Sequence, residues 1–96
     1  MSVINSTVFY AIDKRKPLDP ELKKAILEYL RAGEPCAAYA MSMKDRETGK
    51  YTGIECLVFR DGEKLWTADL IYHFDKYDYE LPKELLDHVK RKIGIQ

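Results

Sequence analysis

Asp61 and Gly62 stand between two runs with apolar residues at alternate positions, TGIECLVFR before them and EKLWTADLIY after. An Asp-Gly pair in that setting signals a tight hairpin, because both central residues of a two-residue loop must tolerate positive φ. With Asp61 and Gly62 as the loop, Arg60 opposes Glu63, Val58 opposes Leu65, Leu57 opposes Trp66 and Cys56 opposes Thr67. One face of the hairpin then gathers Leu57, Phe59, Trp66, Ala68, Leu70 and Tyr72, and the other gathers Ile54, Cys56, Val58, Leu65 and Ile71. Both faces are more apolar than contact with water favours.

The rest of the chain has to supply the cover. VINSTVFYAI, residues 3–12, is rich in β-branched and aromatic residues and reads as a first strand. A helix follows: Asp19 can cap it, Pro20 suits its first position, and Gly33 and Pro35 stop it. Leu22, Ala25, Ile26, Tyr29 and Leu30 form its apolar stripe. Residues 36–44 read as a second strand and DRETGK as a loop. A third strand covers residues 51–60, and a fourth runs from Glu63 to Tyr72 or Phe74. A last helix begins at Pro82, buries Leu85, Leu86, Val89 and Ile93, and ends at Gly94. The expectation is one α+β domain over residues 1–96, a mostly antiparallel sheet of three to four strands in the order β-α-β-β-β-α, with two helices packed on one face.

Pairing Lys44 with Tyr51 carries the register into the preceding strand. Cys36, Ala38 and Ala40 then join the Trp66 face, while Tyr39, Met41 and Met43 join the Ile54 face. Small residues let helices approach closely, so both helices are expected on the Trp66 side. That leaves the face of Tyr39, Met41, Met43, Ile54 and Leu65 without an obvious cover: either the N-terminal segment or a helix covers it, or a partner does, and on the second reading these are the candidate binding residues. Apolar patches on soluble proteins mark contact sites, and adaptable methionines beside a tyrosine suit one.

Other features narrow the function classes. Sixteen basic residues balance sixteen acidic ones, so no net field favours nucleic acid or an anionic membrane. The first twelve residues carry no basic leader, and the longest apolar run, Cys36 to Met41, is too short to span a bilayer. An unexported, cytoplasmic protein is expected. Cys36 and Cys56 lack metal-site spacing and read as small buried thiols, not a disulfide. Neither a phosphate loop nor a nucleophile motif is present.

The segment IYHFDKYDYELP, residues 71–82, packs one histidine, three carboxylates and four aromatic rings. As a strand end it would put His73 and Asp75 on one face, within reach of Glu84 or His88, a conceivable metal or acid/base centre. Glu55, mid-strand, would have a raised pKa if buried, but partial burial with its charge at the sheet rim, or pairing with Lys64 or a helix lysine, is the favoured expectation.

Basic clusters occur at Lys14-Arg15-Lys16, at Lys44, Arg46 and Lys50, and at Lys90-Arg91-Lys92. The order helix, three strands, helix resembles that of double-stranded RNA-binding domains, which implies RNA binding through the first interstrand loop and the start of the last helix. Here that loop reads DRETGK and that helix starts PKELLD, so the matching phosphate-binding residues are missing. The expectation is therefore a non-enzymatic protein-interaction module. It would bind a partner protein or a second copy of itself through an apolar sheet face or edge, with no cofactor and no metal. Nucleic-acid binding is the alternative, and an acid/base or metal enzyme around His73 and Asp75 the second.

Overall fold

The computed structural model describes residues 8–95, and of Ala40 and Met41 the backbone alone. In chain order the elements are β1 (Val8–Phe9), β2 (Ile12–Arg15), α1 (Pro20–Arg31), β3 (Glu34–Lys44), β4 (Tyr51–Asp61), β5 (Lys64–Thr67), α2 (Ala68–Tyr77), β6 (Tyr79–Glu80) and α3 (Lys83–Ile93). The fold class is α+β, as expected, but the sheet is mixed. Its strand order is β1-β5-β4-β3, with β1 parallel to β5 and the other pairs antiparallel. β2 and β6 form a separate two-stranded antiparallel ribbon. Of the expected first strand, residues 3–7 lie outside the described residues.

The hairpin forms one residue further along than expected. Gly62 and Glu63 make the loop, Gly62 carries the positive φ (63°), and Asp61 stays in the strand opposite Lys64. Only the first central residue of this turn needs positive φ, the pattern of a type II′ loop, so glycine alone satisfies it. Phe59 now opposes Trp66, and Val58 opposes Thr67. The partner shift is two residues, so the side chains that remain in the hairpin keep their expected faces. In the neighbouring ladder Lys44 opposes Tyr51 and Ala38 opposes Leu57, as the register predicts. Bulges put Pro35 opposite Phe59, where Cys36 was expected, and Ser42 opposite Glu55.

The larger correction is α2, which occupies residues expected to continue a strand. Thr67 caps it, its hydroxyl accepting the Leu70 N–H at 3.1 Å, and Asp69 sits in the positive first turn. Leu70, Ile71 and Phe74 are buried at helical spacing. The same residues also satisfy strand alternation as far as Tyr72, and the cap decides between the two. At the other end Asp78 takes the left-handed conformation (φ 59°), and Lys23 from α1 donates to Asp75 O (2.8 Å) and to Asp78 Oδ1 (2.7 Å). A cation there meets the negative end of the helix.

Trp66 is fully buried at the centre of the core, among Ile26 and Leu30 of α1, Leu70 and Phe74 of α2, and Leu85 and Val89 of α3. Its indole N–H donates to Leu30 O at 3.0 Å. The expected stripe of α1 therefore faces the sheet, with Ile26 and Leu30 buried and Leu22, Ala25 and Tyr29 half-buried. β3 lies outside this packing. Residues 34–39 are all exposed, and so are Ser42 and Lys44. No helix among the described residues is long and apolar enough to cross a membrane.

Candidate functional site

In the dense segment 71–82, Tyr72, His73, Tyr77 and Tyr79 turn to the β3–β4 loop and hold it down. Asp45 is nearly fully buried at the start of that loop, where its carboxylate accepts from the Glu47 and Thr48 amides and from the Tyr72 and Tyr77 hydroxyls (2.6 and 2.7 Å). Burial opposes its ionisation, but the two hydroxyls and two amides outweigh that and hold the carboxyl well below the usual range. Tyr79 donates to Glu47, which also takes the Arg15 guanidinium at 2.6 Å. Those two partners lower the Glu47 pKa, and the same carboxylate raises that of Tyr79.

His73 completes the clamp. Its ring is fully buried, Nε2 accepts the Arg46 N–H at 2.9 Å, and Nδ1 lies 2.9 Å from Asp69 O. An acceptor at Nε2 facing a carbonyl at Nδ1 requires the proton on Nδ1. The Arg46 side chain continues outward to Asp69 (2.5 Å) and to Ala11 O (2.9 Å). Helical geometry turns Asp75 away from His73, and Asp75 is exposed and pairs with Arg31 at 2.9 Å.

His88 lies elsewhere, 3.0 Å from the Tyr29 hydroxyl, which also bonds Asp61. Burial lowers the His88 pKa, its nearby lysines and Arg91 add to this, and Asp61 opposes it. The Tyr29 hydroxyl in turn lowers the Asp61 pKa. This trio joins α1, α3 and the end of β4. His73, Asp75 and His88 are thus not brought together. Among the described residues no group of three or more His, Cys, Asp or Glu is placed to hold a metal ion. Glu55 is exposed, not buried.

The two cysteines also part company. Cys36 is exposed, contrary to expectation, and Cys56 is buried. Burial and the Asp69 charge push the Cys56 thiol up, away from thiolate chemistry.

Of the candidate binding residues, Met43 is buried (3% exposed), Leu65 is half-buried, and Tyr39 and Ile54 are exposed (37% and 43%). The Met41 side chain lies outside the described residues. Tyr39 and Met43 both line an open cavity of about 620 Å³ whose walls also include Tyr10, Tyr51, Cys56 and Asp69. Tyr10 donates to the Tyr39 hydroxyl at 3.1 Å, which with partial burial pushes the Tyr10 pKa up to about 12. Sequence reasoning missed Tyr10 and Tyr51, because face parity within one hairpin says nothing of a residue arriving from β1 or at a bulged strand end.

The more unusual feature is β3 itself. It has eleven residues, lies last in the sheet among the described residues, and runs without a charge between Glu34 and Lys44. An edge strand presents a row of unpaired N–H and C=O groups, and proteins ordinarily blunt such edges with charge, proline, bulges or shortness. β3 has Pro35 at one end and bulges in its ladder to β4, but its length and its uncharged middle leave a template about 35 Å long. No family model, curated protein or solved structure matches the chain.

Proposed function

We propose that the chain is a small non-enzymatic protein-interaction module that takes an extended segment of another polypeptide onto the outer edge of β3. The observation that carries this reading is the uncharged edge from Cys36 to Ser42, exposed at residues 36–39 and at Ser42, next to the tyrosine-walled groove. Main-chain hydrogen bonds along such an edge supply affinity, and pockets for alternate side chains supply selectivity. The groove at Tyr39 and Met43 suits the second role. A cytoplasmic setting belongs to the same reading, since an exposed free thiol at Cys36 fits a reducing compartment.

The basic residues lend less to the nucleic-acid alternative. Arg15 and Arg46 are engaged by Glu47 and Asp69, and Lys16 by Glu80. The added helix α2 also departs from the element order of double-stranded RNA-binding domains.

Selection of displayed peptides against the immobilised protein tests the proposal. Binders should protect the backbone amides of residues 36–43 from hydrogen exchange, and Ala38→Lys should abolish their binding while leaving the thermal midpoint unchanged. Binders that footprint elsewhere and ignore Ala38→Lys would overturn it.

A further inference from the structure

The charges at the two ends of β3 point to its occupant. We propose that β3 pairs antiparallel with β3 of a second copy of this chain, about a two-fold axis at Tyr39, joining two four-stranded sheets into one. This rests on the edge-binding reading above and names the partner.

A two-fold pairing places residue i of one strand opposite residue j of the other with a constant sum, and a closed symmetric contact must complement itself. β3 has acidic Glu34 at its start, basic Lys44 at its end and no charge between them. Centring the axis on Tyr39 sets Glu34 opposite Lys44 of the second copy, and the reverse, so that two opposite-charge pairs flank an uncharged ladder. Any parallel pairing in register sets Glu34 against Glu34 and Lys44 against Lys44. Displacing the antiparallel register leaves both charges without partners.

Both end residues are available for this. The Glu34 side chain is 66% exposed although Arg60 on the adjacent strand holds one of its oxygens at 2.7 Å. Lys44 is exposed, with its ammonium 5.0 Å from the Tyr51 ring centre. Exposed Ala38 lies beside the axis and offers no bulk to keep a second strand away. Tyr39, on the axis, would meet its own counterpart, and tyrosine pairs across neighbouring strands favour antiparallel sheets.

Sedimentation of the full chain across a dilution series from nanomolar to high micromolar should show a monomer–dimer equilibrium. Ala38→Lys should abolish the dimer without loss of helical circular dichroism, because a lysine at that edge position opposes pairing. Charge reversal then reads the register. Glu34→Lys or Lys44→Glu alone should weaken the dimer about tenfold, because two symmetric pairs are lost at once, and the double variant E34K/K44E should recover it. A chain that stays monomeric throughout overturns the pairing, as does a dimer indifferent to Ala38→Lys or to the charge swaps. So does dilution-independent protection of the 36–43 amides, which would mean that the chain's own residues cover the edge. If displayed peptides still bind the edge of a monomeric chain, the second copy fails as occupant while the edge-binding reading stands.

Discussion

At Gly33 the backbone passes so close to the core that a side chain has no room. A Cβ there would lie 2.6 Å from Trp66 Cζ2 and 3.1 Å from Phe59 Cβ. The indole cannot swing aside, since its N–H is bound to Leu30 O and its ring is enclosed by three helices. Gly33→Ala should therefore destabilise the protein by about 1–3 kcal/mol, the usual range for overpacking. In a urea titration the midpoint falls, and a variant that also carries Trp66→Phe should show less than the sum of the two losses. Gly62→Ala offers the contrast. Nothing crowds it, so its loss comes only from the positive φ and should not couple to Trp66. His73 gives a second test at this scale. Ring nitrogen shifts in an NMR spectrum should report the Nδ1–H tautomer, and an Nε2–H ring would contradict the bond from the Arg46 amide.

At the scale of elements, α2 depends on a cap that parity arguments overlook. Removing the hydroxyl by Thr67→Ala leaves the Leu70 N–H unsatisfied in a buried setting, and should cost about 1 kcal/mol with faster amide exchange in the first turn of α2. A variant as stable as the parent would mean that packing of Leu70 and Phe74 alone decides the helix. The elements that could be read correctly were those with punctuation. Asp19 and Pro20 announce α1, and Gly62 announces the hairpin, to within one residue. Residues 68–74 were misread because Trp66, Ala68, Leu70 and Tyr72 fit a two-residue period while Leu70, Ile71 and Phe74 fit a helical one, whereas residues 64–67 do form the expected strand. The helices do pack on the Trp66 side, but not for the reason the sequence offered: the small residues Cys36 and Ala38 that were to admit them are exposed, outside that packing. The tyrosine clamp on the DRETGK loop was not legible, because it joins residues some thirty positions apart through contacts that no local pattern encodes. The uncharged run of β3 was visible in the sequence, but its place at the sheet edge comes only from the strand order.

Across the whole molecule, the hydrogen-bonded titrating groups set limits on stability at both ends of the pH scale. Asp45, Glu47 and Asp61 have lowered pKa values in the folded protein. Below the unfolded-state values of about 3.9 for Asp and 4.3 for Glu, the unfolded chain binds protons that the folded one refuses, so stability falls as the pH falls. His88 behaves alike at higher pH: its folded pKa is also lowered, so its contribution is full above the unfolded value of about 6.5 and declines below it. Tyr10, Tyr29 and Tyr79 act in the other direction. Their folded pKa values are raised, so their contribution is full below the unfolded value of about 10 and is lost as the pH rises through it. Stability should therefore form a plateau from about pH 7 to about pH 9, with a shallow decline through pH 6 and a steep one below pH 4. Thermal midpoints measured across that range check the shape, and two variants assign its limbs. His88→Gln should remove the shallow decline and leave the steep one. Asp45→Asn should lower the plateau, because a neutral amide is a weaker acceptor for Tyr72 and Tyr77, and should flatten the steep limb. An acid limb of unchanged steepness in Asp45→Asn would mean that the loop clamp does not govern unfolding by acid, leaving Glu47 and Asp61 as its source.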